Sequence, residues 1–180
     1  MTTIFFSQAR NRALQQLDVA RAGSWIHVAE PSDKELDTLA ETYKLDRDNL
    51  TDAVDLYEAP RIDVEDDAVY LYTRYCHPEG NDIATEPLLI VFTPDYVITV
   101  LRNNTSVLNR LTSDVVDVVT TQKTKTLLLF LGEINRSYDL HIKRMGKRVL
   151  QLRGQMRQSR LSNREFLGII ELEEDLNEFL

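Results

Sequence analysis

The sequence is poor in the residues that build most small catalytic and metal centres. Among its 180 residues are one cysteine, three histidines and six glycines. The lone cysteine, Cys76, excludes an internal disulfide and a cysteine-rich zinc site. The histidines, His27, His77 and His141, are far apart in the sequence and share no metal-binding spacing. The glycines are scattered and form no phosphate-binding loop, so we expect neither a zinc helix nor a nucleotide-binding glycine motif.

Membrane-spanning and secretory segments are also missing. The first residues show no basic region followed by a long apolar run, so we expect no secretory signal in them. No stretch reaches the roughly 20 apolar residues of a membrane-spanning helix. No serine lies in a Gly-x-Ser-x-Gly elbow, and no acid–base pair or phosphate cradle accompanies the acidic residues. The sequence therefore predicts that the chain is not an enzyme, a Mg²⁺-dependent one being the least favoured alternative.

Positive charge is in short supply overall. The chain has 29 acidic and 21 basic residues and a formal net charge of −8, which argues against nucleic acid as a partner. The charge is unevenly placed, because residues 30–67 are strongly acidic, residues 122–165 are basic and the C-terminal tail is acidic again. These segments are either solvated faces or complementary faces that pack within or between subunits.

Turn and cap signals divide the first half into short elements. Residues 24–28 read as a strand, and Ser32 with Glu35 forms a capping box at the start of a helix. Asp46 reads as the N-cap of a second helix, which we expect to continue to Pro60. Further strands are predicted at 62–64, 69–75, 88–92 and 97–101. Residues 77–82 are a predicted loop, and 93–95 a hairpin turn.

The second half has helical periodicity. Apolar residues from Leu127 to Met156 recur every three or four positions, which predicts one helix over about 125–157. Ser162 and Glu165 form another capping box, which predicts the start of a second helix. The apolar periodicity of this helix reaches Leu180 without a stop signal, so we expect the natural protein to continue. The predicted fold is an α/β/α sandwich with a small, largely antiparallel sheet over residues 1–120. A long antiparallel helical pair follows over residues 121–180.

Carboxylates are the remaining chemical resource. Asp48, Asp52 and Asp55 are spaced i, i+4 and i+7, which places them on one face of the predicted helix. Like charges at this spacing repel, and Mg²⁺ prefers oxygen ligands while keeping most of its waters. The spacing is therefore compatible with a divalent-cation site and equally with a solvated acidic helix.

Several short motifs occur in a characteristic order. They are Trp25-Ile26-x-Val28-x-x-Pro31, Leu50-x-Asp52, Ala59-Pro60-Arg61-Ile62 with Glu65-Asp66-Asp67, a tyrosine-rich strand, and Val97-Ile98-Thr99-Val100. The long helix and its return partner follow. This order resembles the cytoplasmic N-terminal region of the CorA family of divalent-cation transporters, over nearly the whole chain.

The resemblance implies a function. That family forms homopentameric membrane channels whose cytoplasmic funnel senses Mg²⁺ between subunits, bound ions holding the pore closed. Asp52 matches an acidic position that helps to bind the regulatory ion, with a partner on the neighbouring subunit's stalk helix. Glu133 falls near an acidic position of a second, weaker site, although Thr51 stands where some members have an acid. The family's Gly-Met-Asn signature and transmembrane helices are absent from the 180 residues.

The resemblance therefore predicts an ion-sensing and gating domain that faces the cytoplasm at the inner or plasma membrane. The full-length protein would be a homopentamer, with Mg²⁺ as the regulatory ion and Asp48, Asp52, Asp55 and Glu133 as candidate ligands. A zinc transporter of the same architecture is one alternative. A free-standing module that binds a partner helix is another.

Overall fold

A computed structural model describes residues 1–79, 82–104, 106–113, 115–158 and 167–170. The elements are β1 (Thr2–Gln8), β2 (Asn11–Leu17), β3 (Trp25–Ala29), α1 (Asp33–Tyr43), α2 (Arg47–Asp52), β4 (Arg61–Glu65), β5 (Ala68–Glu79), β6 (Asp82–Phe92), β7 (Val97–Leu101), α3 (Asn109–Thr112) and α4 (Lys123–Gln158).

Seven strands of the described chain form one mixed sheet in the order β2-β1-β3-β7-β6-β5-β4. All neighbouring strands are antiparallel except β3 and β7, which pair in parallel from Trp25 opposite Val97 to Ala29 opposite Leu101. The largely antiparallel sheet predicted from the sequence is confirmed. The hairpin of β1 and β2, which extends one edge of the sheet, was not predicted.

Both faces of the central strands are covered. All five residues of β7 are buried, as expected of a strand between two helical layers. On one face α1 and α2 pack against the sheet in a core of Leu36, Leu39 and Leu50 with Ile26, Val28, Tyr70, Tyr72, Leu89, Val91, Ile98 and Val100. On the other face α3 and α4 pack in a core of Leu111, Phe130 and Ile134 with Trp25, Tyr75, Leu88, Ile90, Val97 and Leu101. The predicted α/β/α sandwich is confirmed.

The two predicted helix starts are present. Ser32 and Glu35 form the reciprocal capping box of α1, and the Asp46 carboxylate accepts a hydrogen bond from the Asn49 N–H at the start of α2. The predicted extension of α2 to Pro60 is wrong, because α2 ends at Asp52. The Asp55 N–H bonds to the Asp52 carbonyl, and the Asp55 carboxylate accepts from the Tyr57 N–H at 3.0 Å. These local bonds satisfy the backbone in turns instead of a helix.

Two further predictions concern segment lengths. Residues 77–79 and 82 belong to β5 and β6, so the predicted loop over 77–82 is too long; His77 lies opposite Ala84 in the ladder. The predicted long helix is confirmed as α4, whose 36 residues extend about 54 Å at 1.5 Å per residue. The capping box at Ser162 and Glu165 lies outside the described residues, and residues 167–170 are helical.

The start of α4 belongs to the same core as the sheet. Phe130 of α4 is fully buried, and its ring centroid lies 4.9 Å from that of Trp25. The division of the chain at residue 120 remains a prediction. No helix in the described ranges has an apolar stretch long enough to cross a lipid bilayer.

Candidate functional site

Asp52, the main residue predicted to bind a cation, is the last residue of α2. Its Oδ2 accepts a hydrogen bond from Arg61 Nη2 at 2.7 Å. The Asp52 side chain is 44% exposed and that of Arg61 32% exposed. Pro60 leads directly into β4, and Arg61, the first residue of that strand, lies opposite the end of α2. Asp52, the predicted ligand of a metal cation, is therefore already paired with a guanidinium group of its own chain.

Arg61 is the centre of a group that we call the Arg61 cluster, made of Arg61, Asp52, Glu58 and Asp63. Its Nε donates to Asp63 Oδ2 at 2.5 Å, and its Nη1 donates to Glu58 Oε1. Desolvation opposes the arginine's charge, but hydrogen bonds to Asp63 and Asp52 outweigh it and raise the pKa of Arg61. Three carboxylates around one guanidinium leave the cluster with an excess of negative charge.

Tyr72 supports the cluster from β5. The guanidinium carbon of Arg61 lies 3.8 Å from the centre of the Tyr72 ring, a cation–π contact that fixes the plane of the arginine. The Tyr72 hydroxyl donates to Asn49 Oδ1 at 2.6 Å, which ties α2 to the sheet. Burial raises the pKa of Tyr72, so the hydroxyl stays protonated and remains a donor. The position of Asp52 is thus set by both the end of α2 and the sheet.

Asp48 and Asp55, the other acidic residues predicted on this helix, do not belong to the Arg61 cluster. Asp48 is exposed in the first turn of α2, one turn before Asp52 on the same helix. Asp55 is exposed beyond the end of α2, where its carboxylate accepts from the Tyr57 N–H. The expected face of three carboxylates on one helix is therefore incorrect, because the helix ends before Asp55.

Glu133 lies on α4, on the opposite side of the sheet from the Arg61 cluster. Its side chain is 10% exposed, and Oε1 accepts from Arg110 Nη1 at 2.8 Å. Asp52 and Glu133 of one chain therefore belong to separate places in the fold. Each of these carboxylates is paired with an arginine.

The described carboxylates of a single chain do not complete a cation site. Within the part of the chain that the structure describes, no group of three histidine, cysteine, aspartate or glutamate side chains could hold a metal ion. Asp52 is accessible but shares its carboxylate with Arg61, whereas Glu133 is almost buried. A cation bound at Asp52 would need ligands from outside the described residues, such as waters or a second subunit.

Sequence reasoning missed the roles of Arg61, Glu58 and Tyr72. Arg61 and Asp63 are two residues apart in β4, so their side chains lie on the same face of the strand, and that spacing was available as a signal. The contact of Arg61 with Asp52 joins a strand to a helix end, and no spacing rule predicts such a contact.

The sheet order, the helical layer on each face and the long helix α4 define the class of protein as an α/β sandwich domain that continues into a long helix. The sequence matches the CorA-like Mg²⁺ transporter protein family over residues 21–179, and the chain belongs to this family. No sequence of a curated protein matches it significantly.

Three solved structures show the same fold. The complete CorA magnesium transporter of Methanocaldococcus jannaschii is 19% identical with a TM-score of 0.82, and the match covers 99% of this chain and 58% of that chain. The soluble domain of the same transporter is 22% identical with a TM-score of 0.83, covering 99% and 73%. The ZntB cytoplasmic domain of Vibrio parahaemolyticus is 11% identical with a TM-score of 0.61, covering 83% and 64%. The chain thus spans little more than half the length of the complete transporter.

Proposed function

We propose that this chain is the cytoplasmic ion-sensing and gating domain of a CorA-type magnesium transporter and not an enzyme. The observation that carries the proposal is the family match over residues 21–179. The fold shared with the soluble domain of a magnesium transporter supports it. In this proposal the remainder of the transporter lies in the inner or plasma membrane, and the complete protein is a homopentamer.

The sensing site is proposed to lie between subunits, at Asp52. The described residues of one chain do not complete a cation site, and the proposal assigns the missing ligands to waters and a neighbouring subunit. Asp52 suits this role because its side chain is 44% exposed at the end of a helix and its position is fixed by the Arg61 cluster. Cation occupancy at such a place couples to the relative position of the subunits. Asp48, Asp55 and Glu133 stay as proposed secondary ligands.

The test is limited proteolysis of the full-length protein across a Mg²⁺ titration. Asp52→Asn is expected to raise the Mg²⁺ concentration for half-maximal protection about tenfold, the loss of roughly 1.4 kcal/mol of binding free energy. Asp37→Asn is the matched control, because Asp37 is also an exposed acid whose carboxylate meets an arginine, Arg47, at 2.6 Å. Equal protection in Asp52→Asn and the unsubstituted protein would remove Asp52 from the mechanism.

The same titration with Zn²⁺ addresses the zinc alternative, which the fold similarity to a ZntB cytoplasmic domain favours. Protection by Zn²⁺ with no response to Mg²⁺ would assign the chain to a zinc transporter. No response to either cation would instead favour the free-standing interaction module.

A further inference from the structure

A basic cleft lies on the α4 side of the sheet, away from the Arg61 cluster. It has a volume of about 250 Å³ and lies between the end of β5, the segment that leads into α3, and α4. Its basic lining residues are Arg110, Arg136, Arg144, His77 and His141. This concentration of cationic groups is unexpected in a chain of net charge −8 and has no part in the proposed sensing of cations.

The arginines of the basic cleft are only partly neutralised. Arg110 pairs with Glu133, whose Oε1 lies 2.8 Å from Arg110 Nη1. Neither Arg136 nor Arg144 forms an ion pair with any residue in the described ranges. Both are exposed on α4, so they lie where the cleft opens to solvent. Three arginines and one glutamate leave an excess of positive charge that an anion would neutralise.

His141 supplies a buried polar group at the same place. Its side chain is 5% exposed, and its Nδ1 has no hydrogen-bond partner among the described residues. An unpaired buried nitrogen is unfavourable, and a ligand with several oxygens could satisfy it. Burial, and then electrostatic interactions with Arg144 and His77, lower the pKa of His141, which favours the neutral ring. A neutral imidazole can donate to a ligand oxygen from one of its ring nitrogens.

From this arrangement we infer that the basic cleft binds an oxyanion of the phosphate class. Guanidinium groups match the oxygens of phosphate in both geometry and charge. The volume is below the roughly 300–1,000 Å³ of pockets that enclose drug-sized ligands, so it suits a phosphate group and not a whole nucleotide. Inorganic phosphate and the phosphate end of a larger metabolite share this chemistry. The excess of positive charge disfavours a divalent cation here, so anion binding at this cleft and the proposed secondary role of Glu133 as a cation ligand are alternatives.

The experiment is isothermal titration calorimetry of the 180-residue protein with EDTA present and ionic strength held constant with chloride. Inorganic phosphate and ATP are the two probes. Saturable binding of either probe with a stoichiometry of one supports the inference, and stronger binding of ATP identifies a phosphorylated metabolite as the ligand type. Arg144→Gln and Arg136→Gln are each expected to weaken binding about tenfold, because each removes a charge-assisted hydrogen bond.

Lys147→Gln is the matched control, since it removes one positive charge from the exposed surface of α4 without altering the lining of the cleft. Its affinity should equal that of the unsubstituted protein. The His141 ring resonances should also shift on addition of phosphate. No saturable heat with either probe, or an equal loss of affinity in Lys147→Gln and Arg144→Gln, would overturn the inference. Because EDTA removes divalent cations, the result is independent of the proposed function.

Discussion

The Arg61 cluster and the basic cleft are two regions of one small domain that carry opposite net charge. The cluster surrounds one arginine with three carboxylates, at the edge of the sheet beside α2. The basic cleft beside α4 is lined by three arginines and one glutamate, and the glutamate pairs with Arg110. In each region the less abundant charged group is ion-paired: Arg61 in the cluster and Glu133 in the cleft. The net charge of each region therefore has the sign of the more abundant groups. The uneven charge of the sequence is therefore concentrated into two regions of the described chain, one with an excess of negative charge and one with an excess of positive charge.

The two regions also differ in how their polar groups are satisfied. Around Arg61, the hydroxyl of Tyr72 and the amide of Asn49 both have hydrogen-bond partners, the Asn49 amide donating to Glu65 at 3.1 Å. At the basic cleft, Nδ1 of His141 has none among the described residues. All three histidines of the chain are associated with the α4 side of the sheet, His27 sharing the face of Trp25. Mild acid should therefore act on the α4 side and leave the Arg61 cluster unchanged.

The largest expected effect is a loss of stability on acidification that originates at His27. Burial and then the charge of the Met1 ammonium group lower the pKa of His27 from 6.5 to about 4. Trp25 Nε1 donates to Thr99 Oγ1, and the same hydroxyl is hydrogen-bonded to His27 Nδ1 at 2.9 Å, a contact that the neutral ring can make in either tautomer. Between these pKa values the unfolded state binds more protons, so stability is complete above pH 6.5. It falls as pH is lowered to 4, by up to about 3 kcal/mol.

Urea denaturation followed by the fluorescence of Trp25 measures this loss, because Trp25 is the single tryptophan of the chain and is fully buried in the folded core. His27→Gln is the control and should remove most of the pH dependence between 6.5 and 4. An unchanged pH dependence in that variant would place the acid response elsewhere in the molecule.

A smaller loss is expected from Arg61→Met, which leaves three carboxylates without their shared cation. Partly exposed ion pairs each contribute little, so the free energy of unfolding should fall by about 1 kcal/mol. The loss should shrink at high salt, because salt screens the repulsion that remains. Arg47→Met is the matched control: Arg47 is also 32% exposed, but its acidic partners, Asp33 and Asp37, are 96% and 60% exposed. Urea denaturation at low and high salt should show a larger loss for Arg61→Met, and equal losses would argue against a special role for the cluster.

Local sequence signals predicted the elements of both regions but not the contacts between them. The caps at Ser32 and Asp46 were predictable because each side chain bonds to a backbone N–H only three residues away. The alternation of Ile62 and Val64 predicted β4 correctly, yet these side chains are 65% and 68% exposed. A period of two identifies a strand without saying which face is covered, and in this edge strand the face of Arg61 is the one against α2.

The candidate site was predictable to the level of Asp52 and no further. Its position in the Leu-x-Asp motif singled it out, but the end of α2 depended on turn bonds around Asp55 that compete closely with a helix. The basic cleft brings together residues of β5, α3 and α4. Such long-range convergence depends on the strand order, which the sequence did not reveal.

The smallest expected effect is a gain in stability, and it tests directly the difference in net charge between the Arg61 cluster and the basic cleft. Arg144→Gln removes one of the excess positive charges of the basic cleft, so without phosphate the free energy of unfolding should rise by a few tenths of a kcal/mol. It also removes a charge that lowers the pKa of His141, so that ring should titrate at higher pH, measurable by NMR. With saturating phosphate the order should reverse, since the unsubstituted protein gains stability from binding and the variant gains less. Destabilisation of Arg144→Gln in the absence of phosphate would mean that Arg144 is already neutralised within the chain, as Arg61 is.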